Sequence, residues 1–374
     1  MSDTERVDVA IIGGGVIGIA IAAELSSDRS VAVLERHEGY GRENSSHNSG
    51  VIHAGIYYPP DWLKTTLCIG GNRLLYAWAD DHSVRVRRTG KLIIAQDEAQ
   101  LAALEELLAA GRSNGVPDLE LLSQRQVASL EPSIKAVAAI SSRSTGVIDQ
   151  MELMRSLESA AAANGALLAY VHDVRQLERN SAGFRLDVRD PQGGDIQLEA
   201  AVLVNGAGLA ADHLAEALGY DIDGEPRMRQ TVNKGRYYDI VTPAKASRLQ
   251  RLIYPLPHTD RSGLGTHVTL DIDGGVHLGP DTEWLEESVT LDYRADDERR
   301  PEFLAAAQEF LPWLEADDLT PGQVGYRTKL SGPGEPPRDF LIWNDNGYVH
   351  LGGIESPGMT ASLAIAKRVR GLLA

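Results

Sequence analysis

The stretch VDVAIIGGGVIGIAIAAELSS, Val7 to Ser27, limits what this chain can fold into more than any other. Val7 to Ile12 is short and β-branched, as buried strands are, while Ile17 to Leu25 has the apolar, alanine-rich character of a buried helix. Gly13-x-Gly15-x-x-Gly18 joins them. Gly13 permits a tight turn, Gly15 lets the backbone approach a pyrophosphate, and Gly18 lets the helix pack closely on the strand. The helix N-terminus, with Val16 and Ile17, then faces the phosphates. A second strand, SVAVLER, ends at Glu35 and Arg36, and Glu35 stands where a carboxylate accepts a ribose hydroxyl. Strand, glycines, helix, strand and acid in this order predict a Rossmann-like dinucleotide-binding unit.

The identity of the dinucleotide turns on whether a second fingerprint exists. AAVLVNGAGLAADHL nearly provides one, with a strand over Val202–Val204 and then Gly206-x-Gly208-x-x-Ala211. No strand ending in an acid follows about 20 residues on, where the chain reads DIDGEPRMRQ. Val202–Val204 is therefore expected to be a later strand of the same sheet, with Gly206, Ala207 and Gly208 bringing backbone to the same cofactor. A single N-terminal fingerprint with a distant return strand favours FAD over NAD.

Charge and cysteine content narrow the partners. The net charge of −17 argues against nucleic acid or an anionic membrane surface, and it requires a local basic site for any anionic substrate. The 374 residues allow two domains, and 43% hydrophobic with 24% charged residues is ordinary soluble composition. Cys68 is the single cysteine, so no intramolecular disulfide forms; it reads as a small buried hydrophobe in a reducing, cytoplasmic setting. The apolar run Val9–Ala23 is too short to span a bilayer, and MSDTER is no basic leader. The basic AKRVRGLL near the C-terminus reads as the last helix of the nucleotide domain, with peripheral membrane contact as the alternative.

Further along, helices are expected over Glu98–Ala110 and from about Met151 to Asn164, the latter ended by Gly165. A loop with a short helix covers Gly115–Ile134. After Gly165 a strand returns to the nucleotide sheet, placing Val171 and Val174 at the adenine end. From Arg227 to about Arg327 alternating segments predict a largely antiparallel sheet. RPEFLAAAQEFLPWLEADD reads as one amphipathic helix broken near Pro312. The expected architecture is α/β in two domains. A discontinuous Rossmann-like FAD-binding domain takes residues 1–85, 140–215 and 325–374, and a second, largely antiparallel substrate domain takes 86–139 and 216–324. At the C-terminal turn, Pro357, Gly358, Met359 and Thr360 stand where a helix begins, so its N–H groups would stabilise a reduced flavin; a plain helix cap is the alternative. Asp271 and Asp273 before Gly274-Gly275 lack EF-hand spacing and read as a hairpin turn. No His/Cys cluster has zinc spacing, so no metal is expected.

The segments HNSGVIHAGIYYPP, TGKLIIA, NGAGL, YPLP and the terminal SLAIA, taken with the fingerprint, carry a family likeness. Over nearly its full length the chain resembles the FAD-dependent oxidoreductases of the D-amino-acid-oxidase/glycerol-3-phosphate-dehydrogenase type, and within them the L-2-hydroxyglutarate dehydrogenases (oxidases). Two segments depart from that subgroup: GGIESPGMTAS replaces the usual Asn-Ala-Pro-Ser-Pro-Ala-Ala-Thr turn, and NKGRYYD replaces Arg-Gly-Glu-Tyr-Tyr. The resemblance implies hydride transfer from a small L-2-hydroxy acid, L-2-hydroxyglutarate foremost, to N5 of FAD, with electrons passed on to a quinone-type acceptor or oxygen. It also implies that Ser45, Ser46, His47, Asn48, Ser49, Gly50 and Val51 run close under the flavin.

That reaction needs a base for the hydroxyl proton and a cation for the carboxylate. Histidine titrates near neutral pH, and His53, at the family position beside the flavin, is the first choice; a hydrogen-bonded loop histidine is the alternative. His47 is expected to bond the cofactor or the loop backbone, and a covalent histidine tether to FAD is a further option. Arg327 is the candidate for the carboxylate, because guanidinium binds it bidentately. Lys234, Arg236 and Lys329 compete to supply a second positive charge. His267 and Tyr254 would hydrogen-bond substrate oxygens, with Tyr254 as a core residue the alternative. Competing functions are a flavin amine oxidase of the glycine or sarcosine type, a non-catalytic flavin-binding protein and a nicotinamide dehydrogenase.

Overall fold

The computed structural model describes residues 5–256, 266–286 and 289–374. Pro257 of the YPLP segment lies outside the described residues. The N-terminal unit forms as its spacing predicts: strand β1 (Glu5–Ile12), helix α1 (Val16–Leu25) and strand β2 (Val31–Glu35). β1 is flanked in parallel by β2, with Val9 opposite Val31, and by the strand Asp195–Asn205, with Val9 opposite Val202. The NGAGL strand thus belongs to the same sheet as the fingerprint. Leu167–Tyr170 adds in parallel to β2, and Tyr348–Gly352 to the end of Asp195–Asn205.

The resulting eight-stranded sheet is covered on both faces. Alternation along β1 sends Val9 and Ile11 into a core with Ile19, Leu157 and Ile365, and Ala10 and Ile12 into a second core with Phe184 and Tyr348. Burial on both sides explains why β1 and β2 read as near-continuous apolar runs.

The second sheet has nine strands and is largely antiparallel. Its long central pair is Thr231–Ile240 and Leu319–Lys329. Lys91–Ala95 joins it through Leu252–Pro255, the one parallel pairing of this sheet among the described residues. Ala138–Ser142 and all of Leu319–Lys329 lie in this sheet, so strand membership runs past residues 139 and 324, where the sequence reading divided the chain. Arg327 therefore stands on the second sheet, opposite Asn233.

Two of the elements that were not anticipated are instructive. Leu119–Ser123 is a strand, although LELLS buries only Leu119 and Leu122 and so shows no clear alternation. Helix α2 (Leu63–His82) has 20 residues, yet Thr65-Thr66 and Gly70-Gly71 dilute its helix propensity. Packing explains it: Gly71 lies so close to the C-terminal helix Gly358–Leu372 that a Cβ there would come within 2.2 Å of the Thr360 carbonyl oxygen. The helix in RPEFLAAAQEFLPWLEADD spans Arg300–Gln308 and ends before Pro312. Asp271 and Asp273 form a hairpin turn, where Asp271 accepts from the Gly275 and Asp273 amides. No helix among the described residues is long and apolar enough to cross a membrane.

Candidate active site

A cavity of about 1070 Å³ opens where the two sheets meet. That is at the upper end of the roughly 300–1,000 Å³ usual for small-molecule sites, so a dinucleotide and a substrate can share it. At one end the wall is the fingerprint: Gly13, Gly15, Val16 and Ile17, with Glu35 and Arg36. Gly13 has φ +105°, and a Cβ there would sit 2.4 Å from the Gly206 carbonyl oxygen. The Gly13 turn and the Gly206–Ala207–Gly208 turn therefore close on each other, and all four of these residues line the cavity. Glu35 ends β2 with one carboxylate oxygen 2.7 Å from the Gly14 amide and the other 2.7 Å from the His37 amide. Gly18 does not reach the cavity. A Cβ there would strike the Gly13 carbonyl oxygen at 2.0 Å, so its role is the helix–strand contact.

Val174 lines the cavity with His172 and Asp173, but Val171 does not. Val171 has φ +58° and is 44% exposed, so a left-handed turn carries its side chain outward.

The loop before β3 (Val51–Ile52) bridges the two sheets. Ser45 Oγ accepts the amide of Val16 at 2.9 Å, meeting an otherwise uncapped donor of α1. On its other side, Gln323 donates to the Asn48 carbonyl at 2.8 Å, and a Cβ on Gly325 would fall 2.3 Å from the His47 carbonyl oxygen. Ser45, His47, Asn48, Ser49 and Val51 line the cavity; Ser46 and Gly50 do not. Ser46 instead accepts from Gln150 through its carbonyl, and Gly50 supplies the φ of +63° that turns the chain into β3. His47 Nδ1 lies 2.8 Å from the Glu43 carbonyl oxygen, a bond to the loop backbone.

His53 follows β3 and reaches the heart of the cavity. Its amide donates to Thr360 Oγ1 at 3.0 Å, its carbonyl accepts from Asn72 at 2.9 Å, and its Nε2 is 3.2 Å from Ser356 Oγ. Burial pushes its pKa down to about 3, helped by the charges of Lys91 and His267. The free imidazole is thus the form present at neutral pH. Pro357, Gly358, Met359 and Thr360 line the same wall at the start of the C-terminal helix.

Facing them from the second sheet are Tyr254, His267 and Arg327. Tyr254 and His267 stack with centroids 3.7 Å apart and planes 5° from parallel. Burial also pushes His267 down to about 3. Arg327 donates from Nη2 to the Asp281 carbonyl, and Gly235 makes room for it, since a Cβ there would lie 2.4 Å from that nitrogen. Guanidinium has five donors, so most remain for a ligand.

Lys234 does not line this cavity. On Thr231–Ile240 the cavity-lining residues are Gly235 and Tyr237, and strand alternation turns Lys234 and Arg236 to the opposite face. There both pair with Asp296, and Arg236 also with Asp281 and Glu283. Lys329, by contrast, lines the cavity.

Several lining residues carried no role in the sequence reading: Tyr57, Tyr58, Tyr237, Lys64 and Glu355. Tyr57 and Tyr58 stood within the quoted HNSGVIHAGIYYPP, and Lys91 within TGKLIIA. Lys91 is 1% exposed, and its ammonium lies 4.8 Å from the Tyr57 ring centre and 4.6 Å from that of Tyr254. Burial lowers it to about 8. Cys68 is buried and its thiol is pushed up to about 12, which leaves it unreactive.

This geometry agrees with what the chain is similar to. The family of FAD-dependent oxidoreductases known as DAO matches residues 8–372. The chain belongs to that family. Among relatives, the enzyme is 35% identical over 405 residues to the mitochondrial L-2-hydroxyglutarate dehydrogenase of Arabidopsis thaliana, covering 98% of this chain and 83% of that protein. It is 28% identical to the human mitochondrial L-2-hydroxyglutarate dehydrogenase, covering 98% and 88%. The solved FAD-bound, dithionite-reduced L-α-glycerophosphate oxidase of Mycoplasma pneumoniae superposes with a TM-score of 0.85 at 26% identity, covering 99% and 95%.

The enzyme's own residues fit FAD. The Gly13–Gly206 closure leaves no room for a Cβ on Gly13, Glu35 presents its carboxylate at the end of β2, and the cavity runs on without a break to His53. No cluster of three or more His, Cys, Asp or Glu among the described residues could hold a metal ion.

Proposed function

We propose that this enzyme oxidises a small L-2-hydroxy acid, L-2-hydroxyglutarate foremost, to the 2-oxo acid. The observation that carries this reading is the convergence of His53, held as free base, and Arg327, held with spare donors, on one cavity continuous with the fingerprint. Arg327 would fix the substrate's C1 carboxylate by charge-assisted hydrogen bonds. His53 would take the proton of the C2 hydroxyl, its ring steadied by Ser356 and its backbone by Thr360. A carboxylate bound beside His53 favours the imidazolium, so substrate binding itself raises the basicity of the ring. The stacked Tyr254 and His267 would offer the remaining hydrogen bonds and exclude water. Bound FAD supplies the two-electron acceptor for the hydrogen on C2. Gly13, Gly15, Glu35, Ser45, Asn48 and the Gly206 turn would hold it, with the start of the C-terminal helix at its ring.

A quinone-type compound or oxygen would then take the electrons, and a cytoplasmic location suits the lone, buried Cys68. Amine oxidation draws less support: an amine substrate enters as the neutral base and needs no residue to strip a hydroxyl, and the near-full-length relatives are named for a hydroxy acid.

The test is anaerobic bleaching of the flavin spectrum across L- and D-2-hydroxy acids and amino acids. L-2-hydroxyglutarate should bleach it fastest. Bleaching by an amino acid and by none of the hydroxy acids would overturn the proposal, and bleaching by nothing would favour a flavoprotein without turnover.

A further inference from the structure

Arg327 and Lys329 are two apart on the strand Leu319–Lys329, and both line the cavity. Side chains two apart leave the same face of a strand, with bases about 6.8 Å apart. That spacing is comparable with the span of a short dicarboxylic acid. Thr328 between them points to the other face and is 1% exposed.

Lys329 is not alone. Its Nζ lies 2.7 Å from Glu355 Oε2, and Lys64 Nζ lies 3.0 Å from the other oxygen, Oε1. Lys64 also donates to the Arg338 carbonyl at 3.2 Å and rests 5.2 Å from the Phe340 ring centre. Burial alone would raise the Glu355 pKa, but the two lysines outweigh it and hold the carboxyl below its ordinary value, so it is ionised. Two ammoniums sharing one carboxylate leave one net positive charge. Lys64 is nearly enclosed at 6% side-chain exposure, whereas Lys329 keeps 25%, facing the cavity with donors to spare. Glu355 is followed by Ser356, the hydroxyl partner of His53, so this cluster stands next to the base.

We infer that Lys329, set in place by Glu355 and backed by Lys64, is a second carboxylate station that makes the enzyme selective for short 2-hydroxy dicarboxylic acids. The inference deepens the hydroxy-acid reading and rests on Arg327 holding the first carboxylate. A diacid bridges Arg327 and Lys329; the monoacid that lacks the second carboxylate leaves Lys329 facing an alkyl end. Glu355 keeps the station at a single positive charge, matched to one carboxylate.

The test is calorimetric titration of the FAD-loaded enzyme with glutarate and with butyrate. Neither has a hydroxyl to oxidise, so the outcome is independent of whether L-2-hydroxyglutarate is turned over. Wild type should bind glutarate about 10- to 100-fold tighter than butyrate, the worth of one charge-assisted contact. Lys329→Met should abolish that preference by weakening glutarate alone, and Lys329→Arg should retain most of it. Lys64→Met should weaken glutarate less than Lys329→Met does. Equal affinity for the two acids in wild type would overturn the inference, as would a Lys329→Met enzyme that weakens both acids alike.

Discussion

The parallel sheet and the antiparallel sheet contribute to one cavity in opposite ways. In the first, most residues around the dinucleotide end are close in sequence: Gly13, Gly15 and Glu35 belong to one strand–helix–strand unit, while Val174 and the Gly206 turn come from afar. In the second, Tyr254, His267 and Arg327 come from three separate strands or their edges and meet only because the strands pair. The first region is therefore sensitive to backbone clearance and the second to side-chain charge. The loop Ser45–Gly50 touches both, through Ser45 to α1 and through Asn48 to Gln323.

That contrast can be broken by substitution. Gly13→Val should be the most severe change, because φ is +105° and the Gly206 carbonyl occupies the Cβ position. The purified protein should carry almost no FAD by absorbance ratio, with stability down by about 3 kcal/mol or more. A variant that kept its flavin would show that the closure of these two turns is dispensable. Arg327→Met should do the reverse, retaining full flavin content while raising KM for the hydroxy acid about 10- to 100-fold, the worth of a charge-assisted contact. Loss of flavin together with activity would move Arg327 from the substrate to the cofactor.

Smaller effects sharpen the comparison through pH. His350 belongs to the parallel sheet, is fully buried, and is pushed down to about 4 by burial, which outweighs the opposing charge of Asp212; Tyr348 and Asn205 stand near its Nδ1. Its folded pKa is below the unfolded value of 6.5, so the unfolded chain takes up the proton first. The folded state accordingly loses stability as pH falls below about 6.5, by about 1 kcal/mol between pH 7 and 5.5 from this group. Denaturant titrations should show this slope, and His350→Gln should flatten it. The smallest effect belongs to His53. With a pKa of about 3 in the free enzyme, the acid limb of kcat/KM should lie well below pH 5. The acid limb of kcat should lie at higher pH, because the bound carboxylate favours the imidazolium. Coincident limbs would mean that no substrate charge approaches the ring.

The same contrast explains what could be read from the chain alone. Glycine spacing reports a local backbone requirement, so the fingerprint, β2 and the NGAGL strand were all legible, and His53 lines the same cavity as the fingerprint. Alternation along a single strand is also local, but its phase is not. Nothing in NKGRYYD says which face meets the cavity, so Lys234 was as good a candidate as Lys329 until the strand pairing set the phase. Lys64 and Glu355 were invisible for the same reason: their pairing joins α2 to the C-terminal turn, a contact made by tertiary packing. Helix α2 itself depends on Gly71 fitting under the Thr360 carbonyl, and a glycine in a sequence signals low helix propensity rather than a close contact.

In the proposed reaction His53 takes the hydroxyl proton in a site whose cations hold the acid. The most direct measurement is the rate of anaerobic flavin reduction by L-2-hydroxyglutarate in wild type and in His53→Gln, mixed rapidly at neutral pH with matched flavin content. The rate should be about 10²- to 10⁴-fold lower in His53→Gln, with the flavin spectrum before mixing unchanged. Reduction of His53→Gln at the wild-type rate would contradict it.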